Sequence, residues 1–200
     1  RALLKNILAL DIAMPMLLKT RQRLNDSSIP LVCADAERLP FVSHSIDGLV
    51  SNLALQWCLG LDEMFADMFR VLRANGGFVF STFGESALCE LKAAWAAVDD
   101  YPHVNDFCEP ALIKQHLQAA GFVNVQLESK VYQIKYNDVI ELMRELKGIG
   151  AHNVSQARNK QLTTKGQLQA LLAAYPKDED GKITASYEII YVQAKVGGAI

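Results

Sequence analysis

The sequence predicts an α/β fold, a doubly wound and mostly parallel sheet with an antiparallel last strand and a small helical insertion. Three observations lead there. Short apolar runs stop at an acid or a polar pair, at Asp11, at Asp35 and at Ser51 with Asn52, and strands buried on both faces read as such runs. Leu61, Met64, Phe65, Met68, Phe69 and Leu72 recur at three and four, the stripe of a helix packed on a sheet. Strands and helices alternate at a spacing that suits right-handed crossovers between parallel strands.

Taken in order, "KNILALD" reads as a strand ending at Asp11 and "MPMLLKTRQRL" as an amphipathic helix. "IPLVCAD" has a proline at its entrance and an acid at its exit, as expected of a buried parallel strand. "IDGLVSNLAL" repeats that form. The helix that follows is expected to end at Gly76 and Gly77, since the residue after a helix often takes positive φ, and "GFVFSTF" restarts a strand. A helix over 85–99 carries Trp95, and the loop "DYPHVNDF" leads to a helix from Pro110 to Ala120 with a stop at Gly121. "FVNVQLESKVYQIKY" reads as a strand, 138–147 and 164–175 as helices, and "SYEIIYVQAKV" as the last strand. Residues 137–176 are expected to form a helical lid within one domain spanning 1–200.

Composition narrows the function. A formal net charge of −2 gives no global attraction to nucleic acid or anionic membrane. No apolar run approaches the roughly 18 residues of a membrane-spanning helix, so the chain is expected to be soluble, and its scattered cysteines read as plain buried thiols of a reducing cytoplasm. Cys33, Cys58, Cys89 and Cys108 form no C-x-x-C pair, and the four histidines are scattered, so no metal site is expected.

The functional signal is the alignment of polar groups at strand ends. Ligands in open α/β sheets bind beyond the carboxyl ends of the strands, and an acid after the second strand accepts ribose hydroxyls. Asp11 suits that role. Asp35, one strand further out, suits an adenine amino group, while Ile12 and Ala36 suit the base and Ser51 and Asn52 complete the edge. Asp is also a common cap or turn residue after strands, and that reading stays open for each one singly. A glycine-rich loop should lie about 20 residues before Asp11, which places it and the first strand on the N-terminal side of Arg1.

"LALDIAMPML", "ADAERLPF", "IDGLVSNLALQW" and "MFRVLRANGGFVFSTF" together resemble the signature segments of the class I S-adenosylmethionine-dependent methyltransferases, whose fold is Rossmann-like. Further along, "NLALQW", "STFGESALCELKAAWAAVDDYPHVNDF" and "LMRELKGIGA" are similar to the malonyl-acyl-carrier-protein O-methyltransferases of bacterial biotin synthesis. The resemblance implies S-adenosylmethionine as cofactor and, as substrate, a malonyl thioester of acyl carrier protein or coenzyme A. A methyl group on the free carboxylate would let the disguised primer be elongated toward pimeloyl. A carboxylate is already ionised at neutral pH, so no acid or base is assigned.

Such a reaction calls for a closed pocket that aligns a sulfonium with a carboxylate. An Arg fork on the attacking oxygens would blunt the nucleophile, so softer donors are expected near the methyl and cations further out. The candidates for substrate positioning are Gln56, Trp57, His103 and Asn105, with Arg144, Lys147 and Arg158 in the expected lid. From Lys130 to Lys165 seven Lys and Arg stand against three acids, a net +4 in a chain of net −2. A basic lid suits an acidic carrier protein or coenzyme A phosphates. The end segment "DEDGKITASYEIIYVQAKV" also looks like a complex I assembly factor of the same fold, which keeps a protein-client reading open. A methyltransferase for another small acid or a quinone precursor is the third reading.

Overall fold

The computed structural model describes residues 6–24, 28–148 and 163–198. Strand β1 (Ala9–Asp11) pairs in parallel with β2 (Leu31–Cys33), and helix α1 (Met14–Leu24) crosses between them. Both strands are shorter than their apolar runs suggest. The register sets Asp11 opposite Cys33, so the chain leaves both strands at one edge. Asp11 ends β1 and closes the turn that leads into α1, because its Oδ1 accepts the Ala13 N–H at 2.8 Å. Pro15 is tolerated in the first turn, where its missing N–H would have no intrahelical partner.

The second sheet has the order β3 (Ile46–Asn52), β4 (Leu72–Phe83), β6 (Ile183–Val196), β5 (Phe122–Tyr136). The last strand is antiparallel and enters between its two predecessors. The structure divides into two compact units: 1–80 with 114–126 and 192–200, and 81–113 with 127–191.

In the first unit α2 (Leu61–Val71) turns Met64, Phe65, Met68 and Val71 inward, each at most 4% exposed. Phe65 meets Phe78 and Phe80, and Phe78 meets Phe122, with centroids 5.7–6.3 Å apart. Burying one such side chain contributes about 1.5–3 kcal/mol. Asp67 and Arg70 on the same helix fasten the segment after β2. Asp67 accepts the Leu39 N–H, and Arg70 donates to the Leu39 and Phe41 carbonyls.

Gly76 and Gly77 do not end the helix. The helix stops at Val71 and the chain enters β4 directly, so both glycines lie inside a strand. Neither takes positive φ, which falls instead on Asn75 at +62°. Gly76 is needed for close approach, since a Cβ there would lie 2.8 Å from the Arg73 carbonyl oxygen. Gly121, by contrast, has φ +103° and follows α4 (Pro110–Ala119) as a helix stop should.

In the second unit α3 (Cys89–Ala96) is shorter than the helix expected over 85–99. Residues before it form a turn in which the Ala87 N–H donates to the Gly84 carbonyl and the Leu88 N–H to that of Ser186. Leu91, Ala94 and Trp95 face the core. Helices α5 (Val139–Gly148) and α6 (Lys165–Ala174) occupy the expected lid stretch. Thr164 caps α6 in a reciprocal box with Gln167.

Candidate functional site

The polar strand ends of the first unit are tied together by short bonds. The Ala34 N–H donates to the Asp11 carbonyl at 3.1 Å and the Cys33 thiol to that of Ile12 at 3.4 Å. Asp35 closes its own turn by accepting the Glu37 N–H at 2.9 Å. Glu37 then accepts the N–H groups of Leu59 and Gly60, linking the exit of β2 to the residues after the short 3-10 turn Leu55–Trp57. Ser51 and Asn52 close β3 just ahead of that turn, and Leu53 takes a left-handed φ of +49° between them. The structure therefore gathers Asp11, Asp35 and the Gln56 turn within one unit.

This edge is rich in acceptors. The Cys58 thiol is pushed up to about 11, first by burial and then by the Glu37 and Asp35 carboxylates, so it stays protonated and is no nucleophile. Gln56 donates through Nε2 to the Leu53 carbonyl at 2.6 Å, which fixes its amide because a carbonyl cannot donate in return. Its buried Oε1 then meets no donor among the described residues. An orphaned acceptor of this kind costs about 1–3 kcal/mol. Ile12, 68% exposed, puts an apolar side chain beside Asp11.

The second group of candidates is in the other unit. The His103 ring lies flat on Trp95, with centroids 3.7 Å apart and planes at 9°. Its Nε2 is 2.7 Å from Asp99 Oδ1, while Asp99 Oδ2 accepts Gln167 Nε2 at 3.0 Å. Burial pushes the Asp99 carboxyl up, but the His103 and Tyr101 bonds more than offset this and hold it below its ordinary value. Asp99 and Gln167 are absent from the sequence-based candidates. The Asp99 to His103 spacing was visible, whereas Gln167 lies 68 residues from its partner. Asn105 is buried, Trp57 half-buried, and Arg144 and Lys147 are exposed on α5. Arg158 lies outside the described residues.

A methyltransferase domain family matches residues 1–80. The malonyl-[acyl-carrier protein] O-methyltransferase of Methylococcus capsulatus is 41% identical over 186 residues, covering 92% of this chain and 68% of that protein. The chain belongs to the malonyl-[acyl-carrier protein] O-methyltransferase family. The biotin biosynthesis bifunctional protein BioHC of Saccharophagus degradans is 38% identical over 199 residues, covering 94% of this chain and 36% of that protein. A solved methyltransferase-type structure from Bacillus halodurans shares the fold, with a TM-score of 0.68 at 15% identity over 96% of this chain and 84% of the other.

As a member of this family the chain is an S-adenosylmethionine-dependent methyltransferase. The donor set fits that cofactor. Its ribose hydroxyls and its amino groups are donors, and the unit offers acceptors at Asp11, Asp35 and Gln56 Oε1 and an exposed apolar side chain at Ile12. Among the described residues no helix is long and apolar enough to cross a membrane.

Proposed function

We propose that the chain methylates the free carboxylate of a malonyl group carried as a thioester on acyl carrier protein. The observation that supports this most is the 41% identity to a malonyl-[acyl-carrier protein] O-methyltransferase across 92% of the chain. The ester removes a negative charge from the end of the acyl group, so chain elongation accepts it as a primer on the way to pimeloyl and biotin. We place the reaction in the cytoplasm, where thiols such as the exposed Cys33 and Cys89 stay reduced.

S-adenosylmethionine supplies a methyl group on a sulfonium, an electrophile that an ionised carboxylate oxygen takes without a general base. The chain's part is binding and alignment. Asp11 accepts the ribose hydroxyls, Asp35 accepts the adenine amino group, and Ile12 and Ala36 pack on the base, with Ser51 and Asn52 at the neighbouring strand end. Gln56, Trp57, His103 and Asn105 position the malonyl end. Arg144, Lys147 and Arg158 hold the carrier, and the stretch 137–176 acts as the lid that carries them.

The carrier is tested by rate measurements on malonyl-acyl carrier protein and malonyl-coenzyme A. Reversing Arg144 and Lys147 to Glu is expected to raise KM for the carrier protein about tenfold at low salt, with the gap closing as salt screens exposed charges. Equal losses at every salt concentration would contradict electrostatic docking through α5.

A further inference from the structure

We propose that Asp99 and Gln167 are positioning residues that turn the His103 ring so that its Nδ1 meets an oxygen of the malonyl group. The inference rests on the malonyl-thioester reading above and adds to it the atom that touches substrate.

Every freedom of the ring is removed by a named contact. Trp95, 5% exposed, sets its plane through the 3.7 Å stack. Asp99 sets its edge, because a half-turn about the last side-chain bond would put carbon where Nε2 now makes its 2.7 Å bond. The carboxylate is itself fixed. Oδ1 also accepts the Tyr101 N–H at 3.1 Å, and Oδ2 accepts Gln167 Nε2 at 3.0 Å. Gln167 cannot flip to release it, since its Oε1 accepts from Thr164 N and Oγ1 at 2.9 and 3.0 Å. A relay therefore runs from the cap of α6 through Gln167 and Asp99 to one imidazole nitrogen.

What the relay leaves over is Nδ1. An ionised carboxylate only accepts, so Nε2 carries its proton toward Asp99. Among the described residues no partner meets Nδ1, although the side chain is only 15% exposed. Three polar groups thus orient a ring whose other nitrogen is unengaged. The malonyl end offers acceptors only, a carboxylate and a thioester carbonyl. Nδ1 therefore meets it as a donor, a single N–H that orients an oxygen without the full pull of an Arg fork, which would weaken the nucleophile.

The test uses asparagine and glutamine at position 103, because the Asn amide falls where Nδ1 lies and the Gln amide where Nε2 lies. In the full-length protein, steady-state rates on malonyl-acyl carrier protein are measured for His103→Asn, His103→Gln and Asp99→Asn, with S-adenosylmethionine affinity as the measure of intact folding. His103→Asn is expected to keep at least about tenfold more kcat/KM than His103→Gln, a difference of about 1.4 kcal/mol. Asp99→Asn is expected to raise KM for the malonyl substrate about tenfold, with S-adenosylmethionine affinity unchanged. His103→Gln matching or exceeding His103→Asn, or Asp99→Asn leaving KM within about twofold, would overturn the inference while wild-type transfer upholds the reading. Wild-type protein that binds S-adenosylmethionine and transfers no methyl group to malonyl would overturn both.

Discussion

Replacing Asp11 with alanine is expected to raise the S-adenosylmethionine dissociation constant of the full-length protein by at least about tenfold, since each hydrogen bond to a charged acceptor is worth about 1.5–3 kcal/mol. Two roles converge on this carboxylate. It ends β1 at the sheet edge where Asp35 follows β2, and its Oδ1 accepts the Ala13 N–H at 2.8 Å in the turn before α1. Loss of that turn bond alone costs roughly 1 kcal/mol of stability. Asp11→Asn separates the roles, because the amide oxygen still closes the turn while one ribose hydroxyl loses its charged acceptor. The asparagine variant is expected to melt near the wild-type temperature and still bind the cofactor several-fold more weakly. Calorimetric titration beside a thermal melt reads both quantities, and an unchanged dissociation constant in Asp11→Ala would remove Asp11 from the site.

Gly84→Ala is expected to be the most damaging small substitution for stability. A Cβ at Gly84 would overlap the Glu188 carboxylate carbon and its Oε2, and lie 2.8 Å from Cγ. Glu188 is 9% exposed and cannot withdraw freely, since it accepts the Ser86 N–H at 2.9 Å and the Ser129 hydroxyl at 2.6 Å. Moving it breaks two charge-assisted bonds of a carboxylate that is itself buried. The expected cost is about 3 kcal/mol, which lowers Tm by roughly 6–12 °C in a domain of this size. A thermal melt checks it. A fall of less than about 1 °C would show that Glu188 relaxes around the methyl group.

The parts that were legible in the sequence are those fixed by neighbours in the chain. Helix α1 and strand β5 begin and end where their patterns place them. Helix α6 lies between Thr164 and Tyr175, because its start is signalled locally by the Thr164 and Gln167 box. Asp11, Asp35 and the pair Ser51 and Asn52 were visible as strand ends for the same reason, an apolar run stopped by a polar group. What was hidden depends on distant contacts. The late start of α3 follows from the bond between Leu88 N–H and the Ser186 carbonyl, 98 residues further along. The glycines at 76 and 77 looked like a helix stop, but Gly76 serves the close approach of the Arg73 carbonyl. His103 was a candidate by its loop alone, while the relay that orients it came into view only with the fold.

The central claim is methyl transfer from S-adenosylmethionine to a malonyl carboxylate. It is tested most directly by incubating the full-length protein with methyl-labelled S-adenosylmethionine and either malonyl- or succinyl-acyl carrier protein, and weighing the acyl products by mass spectrometry. One labelled methyl group on malonyl and none on succinyl is the expected result. Cofactor binding with no methyl on malonyl would contradict it and turn attention to a protein client.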